Sequence, residues 1–535
     1  MPAFDSQSYP YASRRNVVHA RRGMVATSQP LAAQVGLRIL QSGGNAIDAA
    51  IATAAALTVL EPTGNGIGGD AFALVWSRGK LHGLNASGPA PRAISLDALR
   101  ASGATKMPLY GPMPVNVPGA PGSWAALSKR FGRLPLAKVL APAIEYARDG
   151  HAVTATIALA WKTAYELFRR ELHGEHFAAW FDTFGPDGRA PRAGEVWRAP
   201  DHAATLESIA DDGAEGFYRG ALAERIAGFV RSAGGVLDAS DMADFRPEWV
   251  EPIGVDYRGH QVWEIPPNGQ GIVALMALKI LEGYEFEHRD TVRTHHLQFE
   301  AMKLAFADGI AQVAERSQMR VRVEDLLSSA YAEERRRLIG EQASEPAPGS
   351  PPAGGTVFLC TADDEGNMVS FIQSNYLGFG SGLVVPGTGI ALQNRGHNFS
   401  LDPSHPNCVA PGKRPYHTII PGFLTKDGEP VGPFGVMGAF MQPQGHVQVV
   451  MNTLDFGLNP QAALDAPRWE WTAGKAFNVE HTMPEHLVRG LAERGHQIAR
   501  SSNPLAFGRG QIIWRDGDVL VGGTEPRTDG AVAAW

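Results

Sequence analysis

The chain has 535 residues, of which 44% are hydrophobic, 19% charged and 8% aromatic. This composition excludes disordered, collagen-like and coiled-coil proteins. The formal net charge of −7 favours neither nucleic acid nor an anionic membrane as a partner. The longest apolar run, Ala49 to Leu60, is too short to span a membrane, and the N-terminal residues lack the apolar segment of a secretory signal. We therefore expect a soluble, cytoplasmic protein.

The predicted elements change along the chain from mostly helical to mostly extended. In chain order they are a helix over 30–41, a helix over 46–60, a hairpin of strands 71–76 and 81–84, helices over 135–148 and 294–315, and strands over 356–362, 368–373, 511–514 and 519–522. The helix over 46–60 is apolar nearly all round, which predicts burial on several sides. His295 and His296 on the long helix are expected to serve packing and surface roles.

Between the two halves lies a segment that resembles a linker. Residues 341–355 read EQASEPAPGSPPAGG, with few apolar residues and many of the types that favour extended, irregular chain. The segment ends in two glycines, and the next residue, Thr356, opens a strand of buried-type residues. The sequence therefore predicts a helix-rich part and a strand-rich part joined by a flexible connection.

Most common catalytic motifs are absent from the sequence. The run from Gly64 to Gly69 matches G-x-G-x-x-G, but it follows a helix and opens a strand, whereas a dinucleotide site needs the reverse order. There is no G-x-x-x-x-G-K-[ST], no G-x-S-x-G, no H-E-x-x-H and no paired C-x-x-C. Cys360 and Cys408 are expected to be free thiols. We predict neither a metal nor a cofactor.

Thr356 is the strongest candidate for chemistry. A threonine hydroxyl is a weak nucleophile and needs an adjacent base. If the peptide bond between Gly355 and Thr356 were cut, Thr356 would gain an α-amine, whose reference pKa of about 7.7–8.0 suits a general base. Base and nucleophile would then belong to one residue. Taken alone, the pattern strongly favours an ordinary strand that begins with threonine after a loop.

Six blocks in a fixed order carry more information than any single residue. They are QPLAAQVGLRILQSGGNAIDAAIATAAALTVLEPTGNGIGGDAFALVW (29–76), VPGAPGSWAAL (117–127), LAKVLAPAIEYARDG (136–150), EAMKLAFADG (300–309), DDEGNMVSFIQSNYLGFGSGLVVPGTGIALQN (363–394) and LNPQAALDAPRWE (458–470). In these blocks the chain resembles the γ-glutamyltranspeptidase family, whose members are Ntn-hydrolases that cleave themselves before a threonine. The resemblance extends over nearly the whole chain.

The resemblance implies an α+β fold, a four-layer αββα sandwich of two stacked, mostly antiparallel sheets flanked by helices. It implies self-cleavage between Gly355 and Thr356 into a heavy chain, 1–355, and a light chain, 356–535, which together form one domain. The implied partners are a small-molecule amide substrate and the two chains of one precursor, with a possible dimer of heterodimers.

The resemblance also assigns catalytic residues. Thr356 would attack an amide carbonyl and form an acyl-enzyme, which water or an amine would then resolve. The family's Gly-Gly oxyanion pair falls at Gly438 and Ala439, and alanine still offers its N–H group. The family's second, assisting hydroxyl falls at Ser374.

The substrate-binding positions depart from the family pattern. The arginine that holds a γ-glutamyl carboxylate is replaced near Ala86, although Arg92 follows. The N-Q-x-D-D-F motif reads NRGHNF over 394–399, so both acids that hold the substrate amine are missing. The Ser-Ser pair of R-P-x-S-S is replaced by His417 and Thr418. We predict that the substrate-binding residues are Asn394, Arg395, His417 and Tyr376.

Several functions remain open from the sequence. The first is a γ-glutamyltransferase or glutathione hydrolase-like enzyme. Arg395 and His417 suit a carboxylate or a small oxo-acid, as in an oxamate amidohydrolase, and a cephalosporin-type acylase is a further alternative. Arg395 could instead form a buried ion pair with an acid such as Asp402. An uncleaved, inactive scaffold is the alternative outside the enzyme class.

Overall fold

The computed structural model describes residues 5, 8–13, 15–346, 356–503 and 505–535. The predicted linker 341–355 lies outside the described residues from position 347 onward, and so does Gly355. In chain order the helices are α1 (Pro30–Gln41), α2 (Ala46–Leu60), α3 (Leu96–Ala101), α4 (Ala120–Phe131), α5 (Leu136–Asp149), α6 (Ala155–Glu171), α7 (Ala178–Phe184), α8 (Pro200–Asp212), α9 (Glu215–Arg219), α10 (Ala221–Ser232), α11 (Ala239–Asp244), α12 (Gly271–Leu281), α13 (Val292–Gln312), α14 (Val323–Leu326), α15 (Ser329–Arg336), α16 (Met441–Leu454), α17 (Pro460–Asp465) and α18 (Glu485–Glu493).

The strands are, in the same order, β1 (Val18–Ala20), β2 (Gly23–Thr27), β3 (Asp70–Ser77), β4 (Lys80–Ala86), β5 (His151–Ala152), β6 (Val196–Trp197), β7 (Glu248–Val250), β8 (Ile253–Tyr257), β9 (His260–Glu264), β10 (Val357–Asp363), β11 (Met368–Ser374), β12 (Val384–Val385), β13 (Ile390–Ala391), β14 (Gly422–Lys426), β15 (Glu429–Met437), β16 (Trp469–Ala473), β17 (Ala476–Glu480), β18 (Gln497–Ser501), β19 (Arg509–Asp516), β20 (Val519–Thr524) and β21 (Ala531–Ala534).

The two first helices have the bounds that the sequence predicts, and local chemistry explains why. The side chain of Gln29 accepts a hydrogen bond from the backbone of α1, and Pro30 occupies its first position. The second helix begins with a capping box, in which Asn45 and Asp48 each bond the other's backbone N–H. All fifteen residues of α2 are buried, as its continuous apolar surface predicts.

Two seven-stranded sheets form the centre of the molecule. The first sheet has the order β21-β2-β10-β11-β3-β4-β7, and the second has the order β1-β20-β19-β15-β14-β9-β8. Every neighbouring pair in both sheets is antiparallel. The sheets carry strands from both sides of the predicted cleavage point, since β10 and β11 lie between β2 and β3.

The hydrophobic core is divided into layers by these sheets. Between the sheets, Phe72 and Ile372 from the first share a cluster with Phe423 and Ile513 from the second. On the outer face of the first sheet α1 and α2 pack against β2, β10 and β11, and on the outer face of the second α12 and α16 pack against β8, β9 and β15. The layers therefore run helix, sheet, sheet, helix, which confirms the predicted αββα fold.

Two smaller expectations can be compared with the described residues. Cys360 is buried, Cys408 is partly buried, and both are free thiols, as predicted. No helix in the described ranges is both long enough and apolar enough to cross a membrane.

Candidate active site

Thr356 lies directly before β10 at the centre of the first sheet. Its side chain is buried, and its hydroxyl Oγ1 donates a hydrogen bond of 3.1 Å to the Ser374 hydroxyl. The loop between α2 and β3 packs on its main chain, because a side chain on Gly64 would place its Cβ only 3.1 Å from the Thr356 nitrogen. The central strand thus holds the Thr356 hydroxyl in one place, next to a second hydroxyl.

Ser374 is the last residue of β11, the strand paired with β10. Its Oγ also accepts a hydrogen bond of 2.7 Å from the backbone N–H of Tyr376. Tyr376 has a positive φ of 79°, and its hydroxyl is buried with no hydrogen-bond partner among the described residues. A tyrosine in the left-handed region is uncommon and stores strain of order 1–3 kcal/mol. The chain turns sharply at Tyr376, two residues after Ser374, and the ring lies over the guanidinium of Arg395.

Gly438 and Ala439, the predicted oxyanion donors, lie in the turn between β15 and α16. Their φ angles are 143° and 49°. At Gly438 a side chain would meet the Gly508 backbone at 3.1 Å in a conformation that L-residues rarely adopt, so glycine is required there. The amide of Gln270 donates to the carbonyl oxygens of both Ala439 and Thr418, at 2.8 and 2.6 Å. The turn is thereby fixed to the segment that carries His417.

Arg395 is fully buried, and it forms the ion pair that the sequence left as an alternative, with Asp70 as the acid instead of Asp402. The guanidinium donates to both Asp70 oxygens, Nε to Oδ2 at 3.1 Å and Nη2 to Oδ1 at 3.2 Å. Its Nη1 donates to the Thr418 hydroxyl at 2.6 Å, and its Cζ lies 4.7 Å from the centre of the Tyr376 ring. Asp402 instead accepts bonds from Ser404 on the surface.

His417 shares the same carboxylate. Its Nε2 donates to Asp70 Oδ2 at 2.7 Å, so Nε2 carries the proton. Burial, with the neighbouring Arg395 charge, lowers the pKa of His417 to about 4, which leaves the ring neutral at pH 7. Burial alone would raise the pKa of Asp70, but Arg395 and His417 together lower it. One anion therefore compensates one cation within this group. The roles of Arg395 and His417 in substrate binding stay predictions.

The other predicted binding residues have structural partners. Asn394 donates to the Leu109 carbonyl at 3.0 Å and accepts from the Leu377 N–H at 3.2 Å, so it braces the loop after Tyr376. Arg92 forms ion pairs with Asp241 and Asp244 instead of joining this cluster. The roles of Asn394 and Tyr376 in substrate binding stay predictions.

Asp70 is the site residue that sequence reasoning missed. It follows the glycine run 64–69 and is the first residue of β3. In the antiparallel ladder it lies directly opposite Ser374. Opposed residues of such a pair project to the same face, with Cβ atoms about 4.5–5.5 Å apart. The available signal was a single acid at the start of an otherwise apolar strand.

A second polar cluster lies between helix α13 and the residues before β18. Three buried residues meet there: His296, Glu300 and His496. A ring nitrogen of each histidine and a carboxylate oxygen of Glu300 lie within 4.8 Å of one another. His296 is therefore a core residue and not a surface one. The ammonium of Lys303 is 2.5 Å from Glu300 Oε1 and already compensates the carboxylate charge. The absence of a metal stays a prediction.

Comparison with known proteins decides the family. The model of the family described as gamma-glutamyltranspeptidase matches residues 32–535. The chain belongs to the gamma-glutamyltranspeptidase family. It is 37% identical to the glutathione hydrolase-like YwrD proenzyme of Bacillus subtilis, over 95% of this chain and 97% of that protein. It is 34% identical to the oxamate amidohydrolase proenzyme of Klebsiella pneumoniae, over 96% and 98%.

Solved structures of this family include a more similar protein. The chain is 66% identical to a cephalosporin acylase from Bacillus halodurans, with a TM-score of 0.96 and 99% of both chains covered. The gamma-glutamyltranspeptidase of Helicobacter pylori is 28% identical, with a TM-score of 0.55 over 62% of this chain and 93% of that one. The family members named here are hydrolases, acylases and transpeptidases, and two of them are proenzymes by name. This chain is an Ntn-hydrolase of the same family.

Proposed function

We propose that the protein is a self-cleaving threonine amidohydrolase whose nucleophile is Thr356. The observation that carries the proposal is the buried hydroxyl of Thr356, the residue directly before the central strand β10, which donates a hydrogen bond of 3.1 Å to the Ser374 hydroxyl. A threonine buried for packing alone would not need a second hydroxyl aimed at its Oγ1 and fixed by the Tyr376 N–H.

The reaction follows from the chemistry of an N-terminal threonine. Cleavage of the bond between Gly355 and Thr356 frees an α-amine that takes the proton from Oγ1. The alkoxide oxygen attacks the substrate carbonyl, and N–H groups of Gly438 and Ala439 would bond to the oxyanion. The amine part of the substrate takes the proton from the α-ammonium group of Thr356 and leaves. The acyl part of the substrate remains bound to Thr356 as an ester. Water, deprotonated by the same α-amine, hydrolyses this ester and restores the hydroxyl.

We propose that the protein is an acylase, an enzyme that removes an acyl group from an amide, and not a γ-glutamyl enzyme. A γ-glutamyl group carries an α-ammonium that needs an anion, and the nearby Asp70 is already bonded to Arg395 and His417. The 66% identity to a cephalosporin acylase supports the same choice. An oxamate-type activity is the second candidate, favoured by the 34% identical oxamate amidohydrolase.

Denaturing electrophoresis and a substrate panel test the proposal. Purified protein should give two fragments of 355 and 180 residues, the second being 535 − 355, and Thr356→Ala should give one intact chain. The active protein should hydrolyse acyl anilides or a cephalosporin amide faster than γ-glutamyl anilide. An intact chain without amidase activity contradicts the enzyme assignment, whereas rapid γ-glutamyl turnover contradicts only the acylase assignment.

A further inference from the structure

Asp70, Arg395, His417 and Tyr376 form one compact group beside Ser374, the hydrogen-bond partner of the predicted nucleophile. Every one of these side chains is buried. The group is attached to the nucleophile in two ways: Asp70 lies opposite Ser374 in the β3–β11 ladder, and the Tyr376 N–H bonds to Ser374 Oγ. An acyl group attached to Thr356 would therefore have this group as a neighbour.

The charges within the group cancel. Asp70 receives two hydrogen bonds from Arg395 and one from His417, and the imidazole is neutral. The Arg395 guanidinium is further covered by the Tyr376 ring. Two buried groups next to Ser374 have no hydrogen-bond partner among the described residues: the hydroxyl of Tyr376 and the side-chain amide of Asn375. Both groups are uncharged. Uncharged donors and acceptors suit an acyl chain that is polar or apolar but carries no ion.

We infer that Asp70 is a specificity-determining residue, which selects acyl groups without a charged end by compensating Arg395. This inference rests on the proposed amidohydrolase function. If Asp70 is removed, the guanidinium remains as an uncompensated buried cation that attracts an anionic acyl group. If Arg395 is removed, the carboxylate remains and attracts a cationic one.

The test compares three anilides of matched chain length: pentanoyl, glutaryl and 4-aminobutanoyl. Asp70→Asn should raise the ratio of kcat/KM for glutaryl over pentanoyl anilide about tenfold, the scale of one charge-assisted hydrogen bond. Arg395→Gln should raise the ratio of kcat/KM for 4-aminobutanoyl over pentanoyl anilide by a similar factor. The double variant, which has neither charge, should return both ratios to within about threefold of the wild type. Unchanged ratios in single variants that still cleave themselves would overturn the inference.

A measurement on the wild type covers the case in which a single variant does not fold. The melting temperature of self-cleaved wild-type protein should rise more with pentanamide than with glutarate or 4-aminobutanoate at equal concentration. A larger rise with either ion contradicts the selection of uncharged acyl groups, whether or not the protein hydrolyses amides. Failure of the proposed function would be seen separately, as a wild type that neither cleaves itself nor turns over any of the three anilides.

Discussion

At the scale of single residues, the bond between Thr356 and Ser374 is the contact that the chemistry depends on. Ser374→Ala removes the acceptor of the Thr356 hydroxyl while leaving the buried strand intact. We expect kcat to fall about tenfold, the equivalent of one hydrogen bond, and self-cleavage to slow on a denaturing gel time course. Ser374→Thr keeps the hydroxyl and serves as the control. If the alanine variant cleaves itself and turns over substrate at the wild-type rate, Ser374 has no part in the reaction.

The turn at Gly438 and Ala439 allows a paired test. Gly438→Ala puts a Cβ where φ is 143° and the Gly508 backbone is 3.1 Å away, so it should cost about 1–3 kcal/mol and disrupt the turn. Ala439→Gly relieves a φ of 49° and keeps the N–H, so kcat should stay within about threefold of the wild type. Urea unfolding and steady-state kinetics measure both. Equal loss of kcat in the two variants would contradict the predicted roles.

The partner of Arg395 in the buried ion pair could not be identified from the sequence. The sequence allows Arg395 to pair with a nearby acid, and Asp402 is one example because it lies only seven positions away. The partner is Asp70, 325 positions away, and it is brought to Arg395 by the β3–β11 pairing and the loop that follows. Strand pairing over such a separation leaves no local pattern, so only the fold could identify it.

At the scale of elements, the glycine run before β3 controls how closely the loop approaches the catalytic strand. A side chain on Gly69 would place its Cβ 2.6 Å from the Ser374 carbonyl oxygen, so Gly69→Ala must displace one of the two backbones. We expect a loss of about 1–3 kcal/mol in the free energy of unfolding and slower self-cleavage. Gly228→Ala in α10 is the control, because its Cβ would meet nothing within 4 Å. Normal cleavage by the Gly69 variant would show that this approach is not needed.

Helices and hairpins of this protein could be predicted from the sequence because their signals are local. The bounds of α1 and α2 follow from Pro30, Asn45 and the apolar periodicity, and the β3–β4 hairpin extends one or two residues beyond its predicted strands. The order of strands in the sheets could be obtained only through the family resemblance. It depends on contacts between distant segments, which propensity does not encode.

At the scale of the whole molecule, the two chains of the processed enzyme should remain together without a covalent link. Strands β10 and β11 come after residue 355, yet they lie between β2 and β3, which come before it. Among the described residues, separation would break the five strand ladders that join the two chains and open the core between the sheets. Size-exclusion chromatography in native buffer should therefore give one peak that contains both fragments. Two separate peaks would contradict this arrangement.

Buried histidines should make the whole molecule sensitive to acid. Burial lowers the pKa of His151 and His202 to about 4, below their usual 6.5. Between pH 6.5 and 4 the unfolded chain binds protons that the folded protein does not, so stability falls as the pH falls. His151 has no hydrogen-bond partner for either ring nitrogen among the described residues. His151→Phe should flatten the pH dependence by at most about 1.4 kcal/mol per pH unit.

Urea unfolding at pH 7 and pH 5 measures this effect. The exposed His173, replaced by Gln, is the control and should leave the pH dependence as in the wild type. The same slope in the His151 variant and the wild type would show that His151 is charged in the folded state.

The pairing of β21 with β2 brings Trp535 next to Gly23. Trp535 and Gly23 exchange two backbone hydrogen bonds, of 3.2 and 3.0 Å. A circularly permuted gene could join residue 535 to residue 1 by a flexible connector and start translation at Thr356. The reactive amine would then be exposed by removal of the initiator methionine alone. Such a permutant would separate maturation from turnover, and substitutions that block self-cleavage could be studied for their effect on hydrolysis.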